Sequence, residues 1–309
     1  MSQSTPKSGT PREDADRLVG RFLQDLQRQE TSPKTRDAYR LDLSHFADWL
    51  ARTVGEAFSP EAVTPTDICE YRGHLITVEK RQPSTVNRRL AALRRFFQWG
   101  KATGLVKELP TDDVKGVASS PRAPHWLEKR NVDRLIRTVE RHGNTRDLAI
   151  VLVLRHTGIR VSEFSSLMLG DVETSERKGS LTVRSGKGGK LRVLPLNVDA
   201  RRAIAAYLQV RPTVSADHLF IGQRGQGISS RAVELLVTKY GRLAGLEDVT
   251  PHTLRHSFGK HALDAGADLV SVAALLGHQR LETTAIYTTP SQRDLEKAVE
   301  RLEQDGNLR

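Results

Sequence analysis

Six side chains in the second half of the chain could together break a phosphodiester: Arg160, Lys187, His252, Arg255, His278 and Tyr287, in that order. A phosphodiester resists attack because its charge repels nucleophiles and its leaving alkoxide is a strong base. A site that cuts it therefore needs fixed positive charge, a nucleophile and a proton donor. Arg160 and Arg255 suit the first need, since a guanidinium fork pairs two phosphate oxygens and keeps its charge in any protein environment. Each such charge-assisted bond is worth about 1.5–3 kcal/mol. Tyr287 offers an oxygen nucleophile and stands among Thr283, Thr284, Thr288 and Thr289, a segment too polar for a core tyrosine. Ionising a free phenol at neutral pH costs about 4 kcal/mol, a sum that two arginines and a lysine around one phosphate can supply. Lys187 lies in Gly186-Lys187-Gly188-Gly189-Lys190, a glycine-flexible turn that can bring an ammonium to a leaving oxygen; Lys190 competes for that role. His252 and Arg255 are three apart and share a helix face. His252 and His256 have a spacing that can chelate zinc, but Arg255 beside them repels a cation.

The elements that must hold these residues are mostly helical. Leu148 to Leu154 predicts a buried helix running into the Gly158 turn before Arg160, with Ser162 to Leu169 helical again. Leu181-Thr182-Val183-Arg184 and Leu191-Arg192-Val193-Leu194 flank the glycine-rich turn and predict a β-hairpin with Lys187 at its tip. Helices are expected over Ala200 to Leu208, Arg231 to Ala244 and His252 to Ala265, with shorter ones at Val270 to Leu276 and Thr283 to Tyr287.

The first third carries four helical patterns and no strand signal. Leu18, Phe22 and Leu26 recur every four residues; Ser32-Pro33 and Thr64-Pro65 are capped starts; a fourth helix begins near Pro83 with Val86, Leu90, Leu93 and Phe97 on one face. Around that helix stand Lys80, Arg81, Arg88, Arg89, Arg94, Arg95 and Lys101 with no acidic residue among them. A solvated face ordinarily mixes signs, so this pattern predicts a face that contacts phosphates.

The pattern gives a mainly α fold with a small β-hairpin or sheet in the catalytic domain. Residues 1–12 are a Ser/Thr/Pro-rich tail, 13–104 an N-terminal helical domain, 105–126 a Pro/Gly/Ser-rich linker, 127–290 the catalytic domain and 291–309 a C-terminal helix. The 309 residues suffice for two proper cores, and a net charge of +11 points to a polyanionic partner. One cysteine, Cys69, excludes an internal disulfide and a cysteine-rich zinc site. The N-terminus has no apolar signal region and the longest aliphatic run is too short to span a bilayer, so the expectation is a cytoplasmic protein without a membrane partner.

The local contexts add a resemblance. Thr157-Gly158-Ile159-Arg160-Val161-Ser162-Glu163, the Gly-Lys-Gly hairpin ending in Val193-Leu194-Pro195-Leu196, His252-Thr253-Leu254-Arg255-His256-Ser257, Leu276-Gly277-His278 and Tyr287 nine residues later resemble the tyrosine site-specific recombinases of the Xer and phage-integrase superfamily. The first third resembles that family's core-binding domain through helix number and Ser32-Pro33-Lys34-Thr35 with Tyr39, Leu43 and Phe46.

The resemblance implies that Tyr287 is the nucleophile, forming a 3′-phosphotyrosyl link and freeing a 5′-hydroxyl, with Arg160 and Arg255 on the scissile phosphate. It further implies Lys187 as general acid, His252 in an acid/base or hydrogen-bonding role, His278 supporting the phosphate and Glu163 organising the site. It implies no cofactor, metal or ATP, because the covalent link keeps the energy of the broken bond. Double-stranded DNA is the implied partner, with four protomers on two sites, or a partner recombinase, passing through a Holliday junction in integration, excision or dimer resolution. The helix through Leu295, Val299 and Leu302 either docks on a neighbouring protomer or packs on its own domain. Two alternatives use the same features: a type IB topoisomerase-like nicking enzyme and a catalytically silent architectural DNA-binding protein.

Overall fold

The computed structural model describes residues 11–55, 58–118, 125–184, 191–278, 280–285 and 287. They fall into two compact units divided between Pro121 and Arg122. The expected tail (beyond its last two residues, 11 and 12), the hairpin tip with Lys187 and Lys190, and the C-terminal helix lie outside the described residues.

The first unit is four helices, α1 (Pro11–Arg28), α2 (Pro33–Val54), α3 (Pro65–Thr77) and α4 (Pro83–Ala102). All four start on a proline, whose missing N–H costs nothing in a first turn. Ser32 caps α2 by accepting from Thr35 N at 3.1 Å, and Thr64 and Asp67 form a reciprocal capping box on α3. Gly55 ends α2 in the left-handed conformation. The four apolar stripes meet in one core around Phe22, Phe46, Tyr71, Phe96 and Phe97, each fully buried. Phe22 and Phe96 meet edge to face, with centroids 5.5 Å apart.

The second unit opens with α5 (Lys129–His142) and α6 (Thr145–Thr157), the latter buried on all sides from Ala149 to Leu154. A short α7 (Val161–Ser165) and a single 3₁₀ turn at Leu169–Asp171 replace the longer helix expected over Ser162 to Leu169. A three-stranded antiparallel sheet follows, in the order β1 (Val172–Thr174), β2 (Gly179–Arg184), β3 (Leu191–Pro195). Then come α8 (Val198–Val210), α9 (Ser230–Leu243), α10 (Pro251–Asp264), α11 (Leu269–Leu276) and the single turn α12 (Glu282–Ala285). Among the described residues no helix is long and apolar enough to cross a membrane.

The register of the hairpin decides which β3 side chains point inward. Leu181 pairs with Leu194 and Val183 with Arg192, so these four share a face. Leu181, Val183 and Leu194 enter the core, which carries Arg192 inward and leaves Leu191 and Val193 more than 60% exposed.

Candidate active site

The site is assembled at two chain reversals of the second unit and on its helix α10. Gly158 ends α6 with φ +61°, and a Cβ there would sit 2.5 Å from Phe258 Cδ1 and 2.8 Å from Leu276 Cδ2. Only glycine fits the turn, and the turn presents Arg160 as the N-cap of α7. Glu163, three residues on, accepts from Arg160 N at 3.0 Å, satisfying an otherwise free helix-start donor. The same carboxylate accepts from Arg160 Nη1 at 3.0 Å, while Arg160 Nη2 donates to Gly277 O at 2.9 Å.

Arg255 projects from α10 and is 4% exposed. Its Nη1 donates to Gly158 O at 2.5 Å and its Nη2 to Leu276 O at 2.8 Å. Both arginines are thus oriented by carbonyls at helix ends, which supply the acceptors a buried cation requires. Burial, then the neighbouring charge of Arg160, pulls the Arg255 pKa down to about 10, so it stays a cation at neutral pH.

Gly277 ends α11 with φ +66° and leads into His278. His278 Nδ1 shares a hydrogen bond with Thr284 Oγ1 at 2.7 Å. Burial first, and then Arg255 and Arg160, hold its pKa down at about 4, so the ring is neutral. Its plane runs nearly parallel to Tyr287, with centroids 6.5 Å apart and an interplanar angle of 14°.

Tyr287 corrects one expectation: despite its polar segment it is buried, at 2% exposure, among Val272, Leu276 and Phe258. Its ring lies against Gly259, where a Cβ would approach Cε2 to 2.9 Å. Its N–H donates to Thr284 O at 3.0 Å and its hydroxyl meets His256 Nδ1 at 2.8 Å. Burial pushes the phenol pKa up, and the charges of Arg255 and Arg160 work against that rise.

Two residues that sequence reasoning did not single out for this site belong to it. His256 is the partner of the Tyr287 hydroxyl; its place next to Arg255 in a helix was the available signal. Arg192 is the other. Its Nη1 and Nη2 bind Glu163 Oε1 and Oε2 at 3.0 and 2.7 Å, its Nε donates to Leu275 O at 3.2 Å, and a Cβ on Gly277 would strike its guanidinium. Burial alone would raise the Glu163 pKa, but bonds from Arg192 and from Arg160 hold it at about 2. Arg192 therefore ties β3 to Arg160 through Glu163 and to the turn that carries His278.

The structure brings Arg160, Glu163, Arg255, His278 and Tyr287 together. His252 stands exposed on the first turn of α10, with its ring 6.4 Å from that of His256.

In the first unit, the basic pattern around α4 is only partly free. Arg89 is 8% exposed and bonded to His45 and Glu79, with Asp42 3.9 Å away, which takes it off any exposed face. Arg88 pairs with Asp42, Arg81 with Glu79 at 2.7 Å, Arg94 donates to Val114 O, and Arg95 donates to Gln29 Oε1 at 2.5 Å. Lys80 and Lys101 are exposed. Acidic residues are absent within 80–101, yet the fold delivers Asp42 from α2 and Glu79 from just beyond α3.

The Phage integrase family matches residues 125–293, and the Phage integrase N-terminal SAM-like domain matches residues 19–104. The chain is 34% identical to tyrosine recombinase XerD of Ralstonia nicotianae, over 93% of this chain and 94% of the relative. It is 35% identical to tyrosine recombinase XerC of Roseiflexus castenholzii, over 87% and 88%. Its fold is similar to that of XerH bound to a palindromic difH substrate in a post-cleavage complex (TM-score 0.76, 20% identity, 98% and 100% covered). It is also similar in fold to a lambda integrase dimer bound to a COC′ core site (TM-score 0.69, 18% identity, 90% and 96% covered). With the family match over more than half of its length and relatives 34% and 35% identical over most of it, the chain belongs to the phage integrase family of tyrosine recombinases.

Proposed function

We propose that the protein is a site-specific DNA recombinase that cuts one strand with Tyr287, holds it as a 3′-phosphotyrosyl link and rejoins it to a new partner. The observation that carries this reading is the convergence of Arg160, Arg255, His278 and the Tyr287 hydroxyl at one place in the second unit.

The residues divide the work by their chemistry. The bonds described for Arg255 engage two of its five N–H groups, one on each terminal nitrogen, so each of these nitrogens retains a donor for a phosphate oxygen. Arg160 is held in the same manner by Glu163 and Gly277 O. Both guanidiniums are fixed before DNA arrives, so little reorganisation is needed when charge builds on the phosphorane. His278, neutral, stacks beside the nucleophile and hydrogen-bonds the phosphate. Lys187, which lies between β2 and β3 in the sequence, protonates the leaving 5′-oxygen, and His252 takes a hydrogen-bonding role. The covalent link conserves the bond energy, so Tyr287 and the 5′-hydroxyl exchange places on phosphorus without ATP.

The exposed basic side chains of the first unit, Lys80, Arg81, Arg88, Arg95 and Lys101, with the half-buried Arg94, contact DNA phosphates in this reading, and the first unit is the DNA-holding domain. Four protomers on two sites exchange strands in pairs through a Holliday junction, as integration, excision or dimer resolution requires; a partner recombinase supplies some of them if the assembly is mixed. The XerH and lambda integrase structures of similar fold are bound to DNA, which supports DNA as the partner.

The test is recombination itself. A duplex selected for binding from a random pool is placed twice on one plasmid and incubated with the purified protein. Exchange of the flanking segments supports the proposal. Relaxation of supercoils without exchange points to a topoisomerase-like enzyme, and tight binding without any strand breakage to an architectural protein.

A further inference from the structure

Resting on the cleavage chemistry just proposed, we infer that His256, not the exposed His252, is the base that takes the phenolic proton of Tyr287 during attack on phosphorus. The hydroxyl of a buried tyrosine needs a partner, and the one it has here is a ring nitrogen, His256 Nδ1 at 2.8 Å. The tyrosine cannot easily turn elsewhere. Gly259 leaves no gap beneath its ring, His278 runs parallel beside it, and Thr284 O holds its backbone N–H.

Elimination among the described neighbours leads to the same residue. Arg160 and Arg255 are permanent donors and accept no proton. Glu163 is committed to two arginines and is a very weak base at a pKa of about 2. His278 engages Thr284 with its Nδ1 and has a pKa near 4. His252 is exposed one helical turn before His256.

The charged and titratable groups around His256 all disfavour a resting imidazolium. Arg255 and His252 come from α10, His125 from the segment before α5, and burial acts before any of them, so its pKa is lowered. His278 and Arg160 face the same site from the turns after α11 and α6. A neutral ring with its proton on Nε2 presents the Nδ1 lone pair to the phenol, the tautomer this role requires.

Burial raises the phenol pKa, so full ionisation before attack is uphill and the proton must move as the new bond forms. In that step the Tyr287 Oη–H proton passes to His256 Nδ1 while Oη bonds to phosphorus. The P–O5′ bond breaks, and its electron pair leaves on the 5′-oxygen, which Lys187 protonates. Rejoining reverses the order, and the imidazolium returns its proton to the departing phenolate.

The experiment measures single-turnover cleavage of a nicked duplex by the full chain, wild type beside His256→Asn and His256→Ala. Each is run with an ordinary 5′-oxygen and with a 5′-bridging sulfur, a leaving group that needs no proton. Asparagine keeps an acceptor near Nδ1 but cannot hold a proton at neutral pH. Both variants should bind the duplex as wild type does and cleave about 100-fold more slowly. Sulfur should rescue Lys187→Ala and leave the His256 variants slow. The wild-type rate should rise with pH through the imidazole range and then level, a limb His256→Asn lacks. His256→Asn cleavage within about threefold of wild type, or a deficit that sulfur repairs, would overturn the inference. A wild type that binds the duplex and forms no adduct would instead sink the cleavage reading beneath it.

Discussion

Replacing Glu163 with glutamine tests whether one carboxylate holds the cleavage arginines in place. The side chain is 11% exposed and accepts four hydrogen bonds, from Arg160 N and Nη1 and from both terminal nitrogens of Arg192. Its depression from the ordinary 4.5 to about 2 amounts to about 3 kcal/mol of folding stability, at about 1.4 kcal/mol per pH unit. The sign follows from the direction. The folded state favours the ionised form, so the contribution is complete above about pH 5. It is lost as pH falls from the unfolded pKa toward the folded one, with roughly half left near pH 3. Glu163→Gln removes the charge and turns an amide nitrogen toward arginine donors, which leaves N–H groups unpaired. Hydrogen exchange read on peptides from residues 125–184 and 191–278 should show the variant opening about 3 kcal/mol more easily at pH 7. The gap should narrow to roughly half near pH 3. A gap that stays constant over that range, or one below about 0.5 kcal/mol at pH 7, would refute the reasoning, since it would mean that the carboxylate is not selectively held in its ionised form. Strand cleavage by the same variant should fall at least about tenfold, because Arg160 loses its support.

Further predictions come from neighbouring contacts. Arg192→Lys keeps the charge but loses the two-pronged grip on Glu163, so the second unit should lose about 2 kcal/mol and cleavage should drop while duplex affinity holds. Gly259→Ala should abolish covalent adduct and lower the melting temperature slightly: its Cβ collides with the buried Tyr287 ring, and overpacking of about 1–3 kcal/mol outweighs the roughly 0.5–1 kcal/mol that alanine adds to α10. Lys101→Ala should lower the slope of log affinity against log salt by about 0.9. Arg89→Ala should instead destabilise the first unit by about 1–3 kcal/mol, because Glu79 and Asp42 each lose one of their cationic neighbours, as urea unfolding of the variant would register.

The helices were legible because their signals are local. Prolines in the first turn, caps at Ser32 and Thr64, and four-residue apolar stripes gave the starts of α2, α3 and α4. Strand β1 was missed because three residues, Val172–Thr174, are too few to show an alternation. The inward turn of Arg192 was illegible for a related reason: Leu191 and Val193 look like the buried pair, and only the pairing with Leu181 and Val183 reverses them. The same limit applies to charge. Nothing between residues 80 and 101 announces that Asp42, forty-six positions before Arg88, pairs with it. At the site, the order of motifs named Arg160, Arg255, His278 and Tyr287, since each sits in a turn or helix with a strong local signature. The hydroxyl's partner, His256, depended on a contact spanning thirty-one residues.

The most direct measurement traps the covalent link. A nicked duplex bearing the bound site is incubated with wild type and with Tyr287→Phe, in EDTA and without ATP. Denaturing gels and mass spectrometry then locate any attached peptide. The account predicts a 3′-phosphate ester on Tyr287 in wild type and none in the variant, with equal duplex binding by both. Attachment at another residue, or an adduct that survives in Tyr287→Phe, would contradict it.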